Sequence, residues 1–124
     1  MKSLNRVMLM GHLAADTEMR QTKTGKSVAN FPIAINRTVK SDGEKVEVTD
    51  FHRVVAWEGL AKICEKYLIK GTGVYIDGRI MNHSFDDSDG KKHYRTEVVA
   101  DNINIIKWKK AKNGDGEVQL EEVE

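Results

Sequence analysis

Two aromatic side chains flank an arginine in the segment 51–57, and such a pattern can hold nucleic-acid bases. Phe51, Arg53, Val55 and Trp57 are spaced by two residues, so in a β-strand they share one face. An aromatic ring stacks on a base, and a guanidinium pairs with phosphate. Spacing alone leaves a second interpretation open, in which Phe51 and Trp57 are core residues. Arg53 favours exposure, because a charge is rarely buried without a partner.

The segment 73–85 carries a related pattern. Val74, Ile76 and Ile80 lie at even spacing and predict a face in the protein interior. The opposite face carries Arg79 and, just before a turn at 86–92, Phe85. A ring beside a turn has little core to enter, so we interpret Phe85 as an exposed ring that a ligand covers.

These residues must be positioned by a chain that consists mostly of strands. Apolar and β-branched runs predict strands over 4–13, 27–39, 46–57, 73–85 and 93–106, the last with a break at 101–102. Asp-Gly pairs predict turns near 42–43 and 89–90. Helical spacing of apolar residues predicts one helix over 58–69, which ends before Gly71. This order predicts an all-β fold, a five-stranded OB-fold barrel with one helix between strands 3 and 4. A split-sheet α/β domain fits less well, because only one helix is visible.

Charge divides the 124-residue chain into two parts. Residues 1–112 hold all 20 Lys and Arg residues, whereas residues 113–124 hold five acids and no base. A basic body suits a polyanionic partner. We expect one domain over 1–110, followed by a short acidic flexible tail over 111–124. No apolar run approaches the ~20 residues of a membrane span, and the N-terminus lacks a signal-peptide core, so we expect a cytoplasmic protein that does not contact membranes.

Motifs for catalysis, metal binding or cofactor binding are incomplete. The turn at 86–90 resembles part of a calcium loop, but an EF-hand frame would need Phe85 and Thr96 as its first and last ligands. Cys64 lies on the apolar side of the predicted helix, which is typical of a packed thiol. The four histidines have no ligand spacing, and no nucleophile–base pair is apparent. We therefore expect no enzymatic activity, no metal and no cofactor.

Motifs spread over roughly residues 4 to 108 resemble, in order, those of the bacterial single-stranded DNA-binding protein family. They lie at 5–13, 25–31, 49–57, 70–71, 74–78 and 94–98. The segment 49–57 reads Thr-Asp-Phe-His-Arg-Val-Val-Ala-Trp, and the family usually has an aromatic residue followed by His-Arg-Val-Val and a closing aromatic. The resemblance implies an OB-fold homotetramer that wraps single-stranded DNA during replication, recombination and repair, associated with the nucleoid.

The resemblance also implies particular contacts with DNA. Its stacking aromatics correspond to Phe51, Trp57 and Phe85, its strand arginine to Arg53, its helix-end lysine to Lys70 and a further aromatic to Tyr67. Two departures stand out. Val39 occupies a position where the family commonly has an aromatic residue, and the acidic tail lacks the terminal Pro-Phe. We therefore expect the tail to dock replication and repair proteins only weakly.

Three further residues are candidates for contacts between subunits. The first predicted strand has apolar residues on both faces, and Met8 and Met10 lie on the face that the barrel interior does not need. His52 lies on the opposite face of its strand from Phe51. We expect Met8, Met10 and His52 to contribute to the homotetramer.

Two other functions remain open on the sequence. One is an OB-fold subunit that assembles a replication complex and binds nucleic acid weakly, which the loss of an aromatic at Val39 would favour. The other is an RNA-binding module, because stacking does not by itself distinguish the sugars. A nuclease is the weakest alternative, since it would need clustered carboxylates for metal ions.

Overall fold

The computed structural model describes residues 1–109, and the predicted acidic tail lies outside the described residues. The elements follow in the order β1 (Val7–Leu13), β2 (Glu18–Gln21), β3 (Ser27–Ser41), β4 (Glu44–Trp57), α1 (Glu58–Tyr67), β5 (Gly73–Asp86) and β6 (Lys92–Lys107). The five predicted strands correspond to β1, β3, β4, β5 and β6. The short β2 was not predicted, because its sequence Glu-Met-Arg-Gln has one apolar residue and no alternation to reveal it.

Five of the strands close into a ring. The sheet has the order β1-β5-β6-β4-β3, and β1 also pairs with β3. β2 lies outside this ring and pairs with β3. Every pairing is antiparallel except that of β4 with β6. The predicted five-stranded barrel with a single helix between its third and fourth strands is confirmed.

Alternate strand residues fill the barrel, and α1 packs against β3 and β4. The largest fully buried side chains include Phe31, Leu13, Ile33 and Ile76. From α1, Ala61 and Cys64 join the same core. Burial raises the pKa of the Cys64 thiol to about 12, so it is the packed thiol that the sequence predicted. Within residues 1–109, no helix is long and apolar enough to span a membrane.

Two long hairpins extend the sheet beyond the barrel. The β3–β4 hairpin turns through Asp42 and Gly43, whose φ angles of 50° and 80° match the two-residue type I′ turn that Asp-Gly predicts. In the β5–β6 hairpin, Ile80 is 46% exposed although Val74 and Ile76 on the same face are fully buried. The prediction of an interior position for Ile80 was wrong, because β5 leaves the barrel after Gly78.

The start of β1 also differs from the prediction. β1 begins at Val7 rather than at residue 4, and the side chain of Asn5 takes over the pairing with β5. Its Nδ2 donates to the Ile80 carbonyl at 2.8 Å, and its Oδ1 accepts from the Ile80 amide at 3.0 Å. A polar side chain therefore replaces a strand hydrogen-bond pair at this end of the sheet.

The β5–β6 ladder contains a bulge at the break that the sequence predicted near 101–102. Asp77 pairs with Asn102 and Gly78 with Ala100, so Asp101 is the extra residue on β6. The backbone of β6 then lies very close to Gly78. A Cβ on Gly78 would lie 2.1 Å from the carbonyl oxygen of Val99. Only glycine fits this position without moving the backbone.

Replacing Gly78 with Ala tests this constraint. We expect Gly78→Ala to lower the free energy of unfolding by about 1–3 kcal/mol, because the carbonyl of Val99 cannot move without distorting β6. Gly59→Ala is the matched control, since Gly59 lies in α1 with nothing within 4 Å of its added Cβ. The control should be neutral or stabilising by up to about 1 kcal/mol. Urea denaturation at one protein concentration measures the stability of both variants. Equal unfolding midpoints for the two variants would contradict the close approach of β6 to Gly78.

Candidate nucleic-acid interface

The outward face of β4 carries the aromatic residues that the sequence singled out. Phe51 is 64% exposed and Trp57 is 42% exposed, whereas Val54 and Ala56 on the inward face are fully buried. The alternative in which both rings are core residues was therefore wrong. Arg53 lies between the two rings on the same outward face, and it is half-buried.

The rings of β4 belong to a wider surface that continues onto β6 and β5. The pairings place Arg53 beside Glu97 on β6, and Glu97 opposite Met81 on β5. Arg79 and Phe85 lie on this same face of β5, because they are separated from Met81 by even numbers of residues. Four of the predicted site residues, Phe51, Arg53, Trp57 and Arg79, thus lie on one side of the barrel, and Phe85 extends that side along the hairpin.

Phe85 sits in a cluster of cationic and aromatic side chains at the end of the β5–β6 hairpin. It pairs with His93 across the hairpin, and the two rings stack with their centroids 5.5 Å apart. The guanidinium carbon of Arg95 lies 5.1 Å from the centroid of the Phe85 ring. The stacking and the cation–π contact hold the ring, which remains 39% exposed.

Two of the predicted basic residues are already paired with acids. The Nε of Arg53 donates to Glu97 at 3.0 Å, and Nη1 of Arg79 donates to Asp101 at 2.7 Å. An arginine has five N–H donors, so each guanidinium keeps donors for a further partner. The ion pairs hold the arginines in place, but they also reduce the positive potential that the surface presents.

Tyr67 and Lys70 form a separate group at the end of α1. The Tyr67 ring packs edge-on against Trp108, with centroids 5.9 Å apart, and the ammonium of Lys66 lies 5.3 Å above it. Lys70 is exposed, and its backbone N–H donates to Asp16 Oδ1 at 2.7 Å. No contact that the structure gives for these two residues joins them to the ring of Phe51 or Trp57.

The candidate residues for subunit contacts do not lie on one strand face. Met8 and Met10 project from the outer face of β1 and are 57% and 60% exposed. His52 is exposed as well, but it pairs with Ile33, which pairs with Leu13 on β1. Leu13 and Ile33 face the barrel interior, so His52 lies on the interior side of its strand. Met8 and Met10 lie on the outer side of β1.

The cationic residues around Phe85 and all of β2 were not predicted from the sequence. His93 and Arg95 could have been found by counting back from the Asp-Gly turn, because hairpin register places His93 opposite Phe85. Arg20 on β2 pairs with Val28, which pairs with Trp57, so a basic residue lies in the same row as that ring. No signal in the sequence of β2 pointed to Arg20.

The carboxylate of Asp87 organises the turn of the β5–β6 hairpin. Its Oδ1 accepts the backbone N–H groups of Asp89 and Lys91, both at 2.9 Å, and its Oδ2 bonds His93 Nε2 at 2.6 Å. The bond with His93, followed by those from the backbone, holds the pKa of Asp87 below its ordinary value. These bonds occupy the carboxylate that a calcium loop would need. Within residues 1–109, no three His, Cys, Asp or Glu side chains are grouped to hold a metal ion.

Comparison with known proteins gives consistent matches over most of the chain. Residues 4–106 match the single-strand binding protein family. Single-stranded DNA-binding protein 1 of Chlorobaculum tepidum is 45% identical over 115 residues, which cover 91% of this chain and 71% of that protein. The single-stranded DNA-binding protein of Rickettsia conorii is 41% identical over 105 residues, covering 82% and 69%. Among solved structures, the Plasmodium falciparum SSB complex with ssDNA aligns with a TM-score of 0.75 at 27% identity, over 88% of this chain and 98% of that one.

The bond between Asp87 and His93 predicts a measurable pKa. A carboxyl group whose pKa is depressed by folding stabilises the turn above its unfolded pKa of about 3.9, and this contribution is lost as the pH falls through the folded pKa. We expect an NMR titration to find the pKa of Asp87 below that value. His93→Gln should move the pKa back up, because the bond with His93 is the largest cause of the shift. His83→Gln is the control and should leave it unchanged, and an equal response to both variants would contradict the assignment.

Proposed function

This chain belongs to the single-strand binding protein family, and on that premise we propose that it binds and coats single-stranded DNA without strong sequence preference. The observation that carries the proposal is the outward face of β4, where exposed Phe51 and Trp57 flank Arg53. Rings that a folded domain leaves exposed beside a guanidinium suit a ligand with flat apolar faces and a negatively charged backbone. Single-stranded DNA has both, since its bases are unpaired.

Base stacking supplies affinity that does not depend on sequence. Each base that stacks on an aromatic side chain contributes about 1–3 kcal/mol, and every base has a flat face to offer. Phe51, Trp57 and Phe85 are the three rings that we assign to stacking. Duplex DNA hides the faces of its bases, so this surface favours single strands.

Basic residues contribute the part of the affinity that salt weakens. Arg53 and Arg79 keep free N–H donors on the stacking side of the barrel, and Lys70 is exposed at the end of α1. We assign all three to phosphate contacts and Tyr67 to a contact near Lys70. A DNA strand that contacts both the arginines on the stacking side and the residues at the end of α1 must pass from the sheet to the helix end. Binding phosphates releases counterions, so the affinity falls as salt rises.

Fluorescence anisotropy with a labelled dT oligonucleotide tests the function. We expect tighter binding to the single strand than to a duplex of equal length, with the logarithm of the association constant falling linearly with the logarithm of salt concentration. An rU oligonucleotide of the same length distinguishes the RNA-binding alternative. Equal affinity for single and double strands at moderate salt would refute the proposal, and no binding to any of the three would favour the protein-assembly alternative.

A pair of variants on one hairpin separates stacking from general exposure. Phe85→Ala should weaken dT binding by about 1–3 kcal/mol. Tyr94→Ala removes a ring that is 75% exposed on the opposite face of the same hairpin, and it should leave the affinity unchanged. Equal losses of dT affinity from both variants would contradict a stacking role for Phe85, because they would show that either face of the hairpin affects binding.

A homotetramer that acts in DNA replication, recombination and repair is the finer form of the proposal. Met8 and Met10 support assembly, because two adjacent exposed methionines on one strand form an apolar patch that a neighbouring subunit can cover. His52 is assigned to a separate contact. The acidic residues 113–124 are assigned to weak docking of replication and repair proteins, since they offer charge without a terminal Pro-Phe anchor.

Sedimentation of wild-type and variant proteins tests the assembly. We expect wild type to sediment as a tetramer at micromolar concentration and Met8→Glu to shift it towards smaller species, because a charge on the patch would be buried without a partner. Met81→Glu is the control, since Met81 is 47% exposed on the stacking side of β5. A wild-type monomer would refute the tetramer, and equal dissociation of both variants would refute the role of the β1 methionines.

A further inference from the structure

A groove lies on the outer face of the barrel, between β2 and the aromatic row of β4. It has a volume of about 370 Å³ and is lined by Asp16, Glu18, Asn30, Pro32, Phe51 and Arg53, among others. That volume is at the small end of the roughly 300–1,000 Å³ typical of pockets for small molecules. Apart from Ala15 and Asp16, every lining residue belongs to β2, β3 or β4, so the groove is built on the sheet.

The floor of the groove contains a polar group without a partner. Asn30 is only 7% exposed and lines the groove, and none of the side-chain hydrogen bonds within residues 1–109 involves it. Its amide is not among the fully enclosed polar groups that lack a partner, so it is open to the groove, where a ligand can supply its hydrogen bonds. A carboxamide offers one donor and one acceptor side by side. The Watson–Crick edge of every base also presents a donor next to an acceptor.

The walls of the groove suit a flat ring. Pro32 pairs with Arg53, and Phe51 is two residues from Arg53 on the same face, so Pro32 and Phe51 are diagonal neighbours. Diagonal neighbours across antiparallel strands lie roughly 7–8 Å apart. That spacing is within reach of an aromatic side chain, so a flat base that rests on the Phe51 ring can also contact Pro32.

The acidic residues of the groove decide which part of DNA can enter it. Glu18 pairs directly with Asn30, so the two side chains share a face and lie side by side. The carboxylate of Asp16 lines the same groove. Arg53 also lines the groove and suits phosphate. The carboxylates of Asp16 and Glu18 instead repel phosphate, and an ionised carboxylate accepts hydrogen bonds from an amino group. Adenine, cytosine and guanine each carry an exocyclic amino group, and thymine has none.

We propose that this groove holds one unstacked base of the bound strand, with its edge on Asn30, and that Asp16 and Glu18 favour bases that carry an amino group. This inference rests on the proposed binding of single-stranded DNA and adds a base-specific position to a surface that is otherwise tolerant of sequence. Cytosine and thymine are the cleanest comparison. They have the same ring size and differ at position 4, where cytosine has an amino group and thymine a carbonyl oxygen.

Competition between dC and dT oligonucleotides of equal length, at one salt concentration, tests the groove. We expect Glu18→Gln to lower the ratio of dC affinity to dT affinity by about two- to tenfold, because a neutral amide distinguishes the amino group from the carbonyl oxygen less strongly. Glu65→Gln on α1 is the control for the change in net charge, since Glu65 is exposed and lies outside the groove. It should leave the ratio unchanged.

A second variant tests the floor of the groove. Asn30→Ala should weaken binding of both oligonucleotides by about tenfold, while Asn102→Ala, at an exposed position on β6, should weaken neither. If Asn30→Ala fails to fold, the Glu18→Gln ratio still decides the question. Wild-type protein that binds neither oligonucleotide would refute the proposed function itself. Wild-type binding with a ratio that Glu18→Gln leaves unchanged would overturn the groove alone.

Discussion

The closure of the sheet at β1 is the constraint on which the rest of this structure depends. β1 pairs with β5 along most of its length and meets β3 only at His12 and Leu13. Gly11 makes this meeting possible, because a Cβ there would lie 2.5 Å from the carbonyl oxygen of Ala34 on β3. Without closure, β1 and β3 would each present unpaired backbone groups to solvent. A single close approach of two backbones thus turns a sheet into a barrel.

Closure also explains why the outside of the barrel can carry a binding surface. Inward residues of the five strands fill the core, so several outward residues of β4 and β5, among them Phe51, Trp57 and Met81, can stay exposed. Rows of paired residues then run around the barrel, and they bring together side chains from distant parts of the chain. Arg53 and Glu97 are 44 residues apart in sequence and form an ion pair in such a row. The same geometry sets Glu18 beside Asn30 in the groove.

Strand alternation and turn chemistry made most of the fold predictable. The exposure of Phe51 and Trp57 followed from their shared face with Arg53, and the β3–β4 turn followed from Asp42-Gly43. Periodicity could not show where a strand leaves the barrel, so Ile80 was misassigned to the interior. The partners of Arg53 and Arg79 depend on pairing between strands that are far apart in sequence, which a single sequence does not encode locally. β2 was not predicted, because its four mostly polar residues show no alternation of apolar and polar side chains.

The environment of Cys64 has a consequence for redox chemistry. Burial raises the pKa of this thiol to about 12, so it stays protonated at pH 7. The thiolate is the form that attacks disulfides and reacts with oxidants, so burial and protonation together keep the sulfur inert. The proposed coating of DNA would bring many copies of the protein side by side, each with one cysteine. An exposed thiolate in that arrangement would cross-link neighbouring copies under oxidation, whereas the thiol of Cys64, which α1 packs into the core, is protected from that reaction.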